Sequence, residues 1–303
     1  MIQKQVQGIY AALLTPRHAE NDLDLAGLSR LVAFLAQHDV CSYALNGATG
    51  EFCLTTPKEL RALFGAVHKV AGDRAHLLCG VGAAGTTEAV ELAKIAQEEG
   101  SRALLVPAPY FFQYQQDDLE AFFETMASAV RLPVLLYNLP QFTTGLEVET
   151  ACRLIHNVPN IIGIKDSSGS LDILRALTQQ NIPACRIIGN DGALAAALQE
   201  QTCDGVVSGV ACVLPELIQS LYNGVDDQGP AQFHLAANLL DEFIARIDTF
   251  PTPWGLKWIA EARGILRASF AQPVSARRKM QSAELMGWFR NWQAALPLSL
   301  AAK

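Results

Sequence analysis

PNIIGIKDSSG (residues 159–169) ends a short, β-branched apolar run on a lysine. Residues 160–164 are bounded by Pro159 on one side and by Asp166-Ser167-Ser168-Gly169 on the other. A run with no polar alternation reads as a strand buried on both faces, as in a parallel sheet. Lysine is rarely buried without a partner, because desolvating an ammonium is costly and lowers its pKa. The other seven lysines (Lys4, Lys58, Lys69, Lys94, Lys257, Lys279 and Lys303) fall in polar or helical contexts. Lys165 stands apart.

Similar runs recur on either side. In chain order they cover residues 8–16, 42–47, 76–82, 103–109, 133–138, 160–166, 185–191 and 204–209, mostly starting 25 to 34 residues apart. Amphipathic segments lie between them with recognisable starts and stops. Thr56-Pro57 with Glu59 opens one helix, and Thr86-Thr87-Glu88 opens another that stops at Gly100. Eight βα units in succession imply a parallel α/β sheet, and eight is the number that closes a (β/α)8 TIM barrel. An open doubly wound sheet is the competing architecture. Beyond residue 225 the strand pattern ceases. Segments 231–247, 253–268 and 276–294 read as three helices, with breaks at Thr249-Pro251 and Gln272-Pro273. The expected organisation is a catalytic barrel over residues 1–225 and a C-terminal three-helix extension over 226–303.

Bulk composition narrows the function. Half of the 303 residues are hydrophobic, ample for a large core, and the formal net charge is −7 without a basic cluster. Nucleic acid is therefore not expected as a partner. Nothing resembles a signal peptide or a membrane span. The seven scattered cysteines form no CxxC and the six histidines no HxxxH, so reduced thiols in a cytoplasmic enzyme without a metal site are expected. GVGAAG (80–85) matches the dinucleotide fingerprint, but the following strand contains no Asp or Glu to hold a ribose. A nicotinamide cofactor is not expected.

In a barrel of this type the active site lies at the C-terminal strand ends. Those ends carry Thr15, Gly47-Ala48-Thr49-Gly50-Glu51, Tyr137-Asn138, Lys165-Asp166, Gly189-Asn190-Asp191 and Ser208-Gly209. A buried amine with a free lone pair suits nucleophilic attack on a carbonyl. The plainer alternative is a lysine paired with Asp166. Tyr137 suits a proton carrier if its hydroxyl faces the amine, and a core aromatic otherwise. The GATGE turn offers consecutive N–H groups and the Thr49 hydroxyl to a carboxylate, or is an ordinary glycine turn. Glu51 suits ordering of that loop better than contact with substrate.

GATGE, YNLP and GIKDSSG, with Tyr137 90 residues after Gly47 and Lys165 28 residues after Tyr137, resemble the dihydrodipicolinate synthase / N-acetylneuraminate lyase superfamily of pyruvate-handling class I aldolases. The resemblance runs from Gly8 to about residue 225, and the helical tail suits it. It implies that Lys165 forms a Schiff base with a 2-oxo acid, so that no separate cofactor or metal is needed, and that Tyr137 shuttles protons. It further implies that Thr49 and the backbone of Ala48 hold the substrate carboxylate, that Gly189 and Asp191 position the remaining chain, and that Ser208 flanks that pocket. A homo-oligomer, tetramer or dimer, is also implied.

The chain departs from the synthases at three places. Ala48 replaces the first of two hydroxyl residues in the turn, and Phe111 stands where a tyrosine crosses the subunit interface. Gln141-Phe142-Thr143-Thr144-Gly145 replaces a segment that carries an arginine. Sialic acid lyases also keep Ser and Tyr at the first two positions, and GEFCLT is closer to oxoglutarate aldolases and sugar-acid dehydratases. The expected activity is cleavage or formation of a 2-oxo-3-deoxy-4-hydroxy acid, with pyruvate as one partner. Alternatives are dehydration of such a sugar acid through the same imine, 4-hydroxy-tetrahydrodipicolinate synthesis, or a non-catalytic small-molecule-binding relative. Ala48 and Phe111 weigh against efficient synthase activity.

Overall fold

The computed structural model describes residues 6–224 and 229–297. Eight parallel strands close on themselves in sequence order: β1 (Gly8–Ala12), β2 (Ser42–Leu45), β3 (His76–Gly80), β4 (Ala103–Pro107), β5 (Val134–Asn138), β6 (Ile161–Asp166), β7 (Cys185–Ile188) and β8 (Gly205–Ser208). Pairing of Gly8 to Ala11 with Gly205 to Ser208 makes the closure and excludes the open sheet. The fold is a (β/α)8 TIM barrel.

Helices α1 (Leu25–Gln37), α2 (Pro57–Ala71), α3 (Thr86–Glu98), α4 (Gln116–Ser128), α5 (Val148–Asn157), α6 (Asp172–Gln179), α7 (Leu194–Gln199) and α8 (Pro215–Asn223) follow the strands in turn. Local chemistry sets their ends. Thr56 and Glu59 form a capping box on α2 with Pro57 in the first turn, and Gly100 adopts φ +84° just beyond α3. Alternate residues of each strand serve two apolar layers. Val134 and Leu136 of β5 pack outward against the helices, whereas Leu135 and Tyr137 face the barrel interior with Tyr10, Leu105, Ile187 and Val207.

Two expected boundaries differ most. The first run extends to residue 16, but β1 ends at Ala12; Leu13 still donates to the Ala44 carbonyl at 2.9 Å, and Leu13 and Leu14 stay buried in a connecting loop. The C-terminal helices are α9 (Pro230–Ile247), α10 (Trp254–Ala262) and α11 (Ala276–Ala294). Helix α10 stops short of the expected residue 268 because Gly264 turns the chain at φ +70°. Phe243 of α9 and Phe289 and Trp292 of α11 join the core that lies between barrel and helices. The boundary expected at 225/226 lies outside the described residues.

Candidate active site

The strand register sets Tyr137 of β5 directly beside Lys165 of β6. Both are buried, 2% and 3% exposed, and the lysine Nζ lies 3.9 Å from the centroid of the Tyr137 ring. Among the described residues Lys165 has no carboxylate within ion-pair distance. Asp166 is otherwise engaged: its carboxylate accepts from the Ser168 N–H at 2.8 Å and from Asn138 Nδ2 at 3.1 Å. The geometry therefore does not support a Lys165–Asp166 pair. Space for the lysine stem comes from Gly189. A Cβ there would stand 2.6 Å from Lys165 Cε and closer still to Ser167 Oγ.

The GATGE turn caps the same end of the barrel. Asn46, fully buried at φ +56°, starts it by donating from Nδ2 to the Gly80 carbonyl at 2.8 Å. Gly80 must be glycine because a Cβ would run into the Asn46 carbonyl. The GVGAAG stretch thus lets β3 approach the turn. Glu51 closes the turn in the left-handed region, and its N–H donates to Ala48 O at 3.0 Å.

The carboxylate of Glu51 reaches away from the cavity to Lys257 of α10. Lys257 also donates to Ser269 O at 2.9 Å and is only 1% exposed. Burial pulls its pKa down while Glu51 opposes the shift. Lys165 is therefore not the one buried lysine, as its sequence context suggests. The overlooked signal is that Lys257 sits in WGLKWIAEA, a helix apolar around most of its circumference. Glu51 holds the turn, as expected of it.

A cavity of about 360 Å³ opens at the strand ends, lined by Lys165, Tyr137, Ala48, Thr49, Gly189 and Asp191. Six of the seven expected residues thus meet around one space. Ser208 does not line it. Its fully buried hydroxyl accepts from the Ala211 N–H at 2.8 Å and hydrogen-bonds Asp191, so its place is behind the wall. Asp191 Oδ2 also accepts from the Val210 N–H at 3.2 Å, while Oδ1 has no protein partner. Burial pushes the pKa of Asp191 up, against its hydrogen bonds and the Lys165 charge.

Other lining groups are absent from the strand-end inventory. Ile244 and Ile247 come from α9, Asp248 and Phe250 from the segment after it, and Leu256 from α10. Phe142 and Gln141 come from the loop after β5, where Gln141 Nε2 donates to Ser167 O at 2.9 Å. Phe111 is 85% exposed at φ +86° and lines a neighbouring apolar cavity of about 510 Å³ with Tyr110, Phe52 and Trp254. Neither Tyr110 nor Tyr114 lines the Lys165 cavity. Among the described residues no three His, Cys, Asp or Glu side chains are grouped to hold a metal, and no helix is long and apolar enough to cross a membrane.

A family model described as the dihydrodipicolinate synthetase family matches residues 5–289. The chain belongs to this family. It is thus a lyase-type enzyme of the pyruvate-dependent kind. A 4-hydroxy-tetrahydrodipicolinate synthase of Cellvibrio japonicus is 33% identical over 274 residues, covering 89% of this chain and 93% of its own. The chloride-inhibited dihydrodipicolinate synthase of Acinetobacter baumannii, solved with pyruvate, superimposes with a TM-score of 0.85 at 25% identity, covering 93% and 98% of the two chains. The N-acetylneuraminate lyase of Mycoplasma synoviae shares the fold, with a TM-score of 0.80 at 20% identity and coverage of 93% and 98%.

Proposed function

We propose that this family member cleaves or forms a 2-oxo-3-deoxy-4-hydroxy acid through an imine on Lys165. The observation that carries the reading is an amine without a carboxylate partner, set against the Tyr137 ring in a cavity that also exposes the GATGE turn. Lys165 Nζ attacks C2 of the 2-oxo acid, and loss of water leaves a protonated imine. As the 4-hydroxyl gives up its proton, the C3–C4 bonding pair moves toward the imine nitrogen and an aldehyde departs. The resulting enamine takes a proton at C3. Water then attacks C2, releasing pyruvate and the free amine. Each step runs in reverse for condensation.

Tyr137 carries the protons at the imine, being its neighbour in the register. Thr49 and the Ala48–Thr49 backbone hold the C1 carboxylate. Gly189 leaves space for the lysine, and Asp191, on the cavity wall, positions the remaining substrate chain. Ser208 keeps Asp191 in place. We also propose self-association, supported by the exposed, edge-to-face pair Phe111 and Phe112 beside an apolar cavity.

The names of relatives such as the Cellvibrio japonicus protein favour a second reading, condensation of pyruvate with aspartate semialdehyde. Against it stand Ala48, the exposed Phe111 and the uncharged Phe142. Pyruvate with borohydride should label one residue, Lys165, in a peptide map that also resolves the second buried lysine, Lys257. A label elsewhere, or none, removes the mechanism. Coupled assays for pyruvate release from 4-hydroxy-2-oxo acids and for semialdehyde condensation then separate the two readings. Synthase activity equal to or above the aldolase activity would decide for the second.

A further inference from the structure

We infer that the aldehyde half handled at the outer end of the Lys165 cavity is uncharged and presents a hydrocarbon face, rather than carrying a second carboxylate. The inference rests on the imine reading above and concerns the part of the cavity beyond the amine and the turn. There the apolar part of the wall is Phe142, Ile244, Ile247, Phe250 and Leu256, interrupted by Asp248 and Thr252. Ile247, Phe250 and Leu256 are buried core members, so this wall is fixed by packing. An apolar group laid on it leaves water at a gain of about fourfold in affinity per methylene.

Charge points the same way. Among the described residues Lys165 is the one cation on the lining, and its charge is spent on the imine and the proximal carboxylate. Besides the Tyr137 phenol, the remaining ionisable lining groups are the carboxyls of Asp191 and Asp248. A distal carboxylate would find no ammonium or guanidinium to receive it, and an unpaired charge resists desolvation. Arg278 is near but committed elsewhere: it donates to Thr249 O at 2.6 Å, lies 5.3 Å over the Phe250 ring, and does not line the cavity. The rest of the polar lining is neutral or acidic, with Gln141, Ser167, Asn190 and Thr252 beside the two carboxyls. Gln141 is tied to Ser167 O, and Asp191 Oδ1, without a partner among the described residues, is buried away from the open cavity.

The test is condensation of pyruvate with a panel of aldehydes, on enzyme first checked for borohydride trapping of pyruvate. Isobutyraldehyde and benzaldehyde should exceed glyoxylate and succinic semialdehyde in kcat/KM by tenfold or more. From acetaldehyde to butyraldehyde the value should rise about fourfold per methylene. Glyceraldehyde, uncharged but without a hydrocarbon face, should fall between the two groups. Phe142 is 54% exposed, so Phe142→Arg should fold normally, and it should shift the preference toward the carboxylated aldehydes at least tenfold. Trapping combined with a preference for carboxylated aldehydes or glyceraldehyde, or an unmoved order in Phe142→Arg, overturns this inference alone. Absence of trapping overturns the imine reading and this inference with it.

Discussion

Gly189→Ala should disable the enzyme without unfolding it. The added Cβ would stand 2.6 Å from Lys165 Cε, whereas carbon atoms settle at roughly 3.5–4.0 Å. Lys165 must therefore retreat by about 1 Å, and Ser167 Oγ must turn away. Overpacking of this kind costs about 1–3 kcal/mol of stability, which lowers Tm by several degrees in a chain of this size. A reacting group misplaced by about 1 Å loses on the order of 10²-fold in rate, equivalent to about 2.7 kcal/mol in the barrier. The assay is single-turnover imine formation, followed by borohydride trapping, beside thermal unfolding. The double variant Gly189→Ala/Ser167→Ala separates the two collisions. It should regain part of the stability and little of the rate, because the clash with the lysine stem persists. Trapping at the wild-type rate in Gly189→Ala would refute the argument that this glycine exists to seat Lys165.

Tyr137→Phe preserves the ring beside Lys165 and removes the hydroxyl, so kcat should fall roughly 10²–10⁴-fold with KM changed much less; near-normal turnover would leave Tyr137 as packing only. Lys257→Met strands the Glu51 carboxylate, 11% exposed, and should cost about 3–5 kcal/mol in urea unfolding, most of it regained in Lys257→Met/Glu51→Met. Equal loss in both variants would contradict a charge-pairing role. Burial raises the Asp191 carboxyl above its ordinary 3.8, so the folded chain binds more protons than the unfolded one across that window, and stability falls as pH rises through it. The Tm of Asp191→Asn relative to wild type should therefore increase from about pH 4 upward and then level off. A difference independent of pH would show that the carboxyl is not perturbed by folding.

Strand order, barrel closure and the core of the site are legible in the sequence because they follow from short-range pattern. Apolar runs at regular spacing specify βα units, and the parity within VLLYN and IIGIKD sends Tyr137 and Lys165 to the same face. What escapes is whatever depends on distant segments. Ile244 and Ile247 follow the same helical spacing as residues that pack in the core, so nothing local marks them as cavity wall. Lys257 hides in a helix because its partner Glu51 is 206 residues away. Ser208 stands at a strand end but shares the outward parity of Val206, and Asp191 and the Ala211 N–H claim its hydroxyl. The shortfall of α10 is readable after the fact from Gly264, a stop signal inside an otherwise helical pattern.

The Glu51–Lys257 contact also governs how this chain can be recombined. Any crossover with a homologous gene between positions 51 and 257 separates the two charges unless the donor carries the same pair. Such a hybrid would inherit either a buried ammonium or a half-buried carboxylate without its counter-ion. Breakpoints chosen at the barrel's edge, which preserve every strand, would then damage the GATGE turn from a helix some two hundred residues downstream. For library design the two positions form a single inherited character, and the tail after β8 belongs to the same shuffling block as the loop after β2.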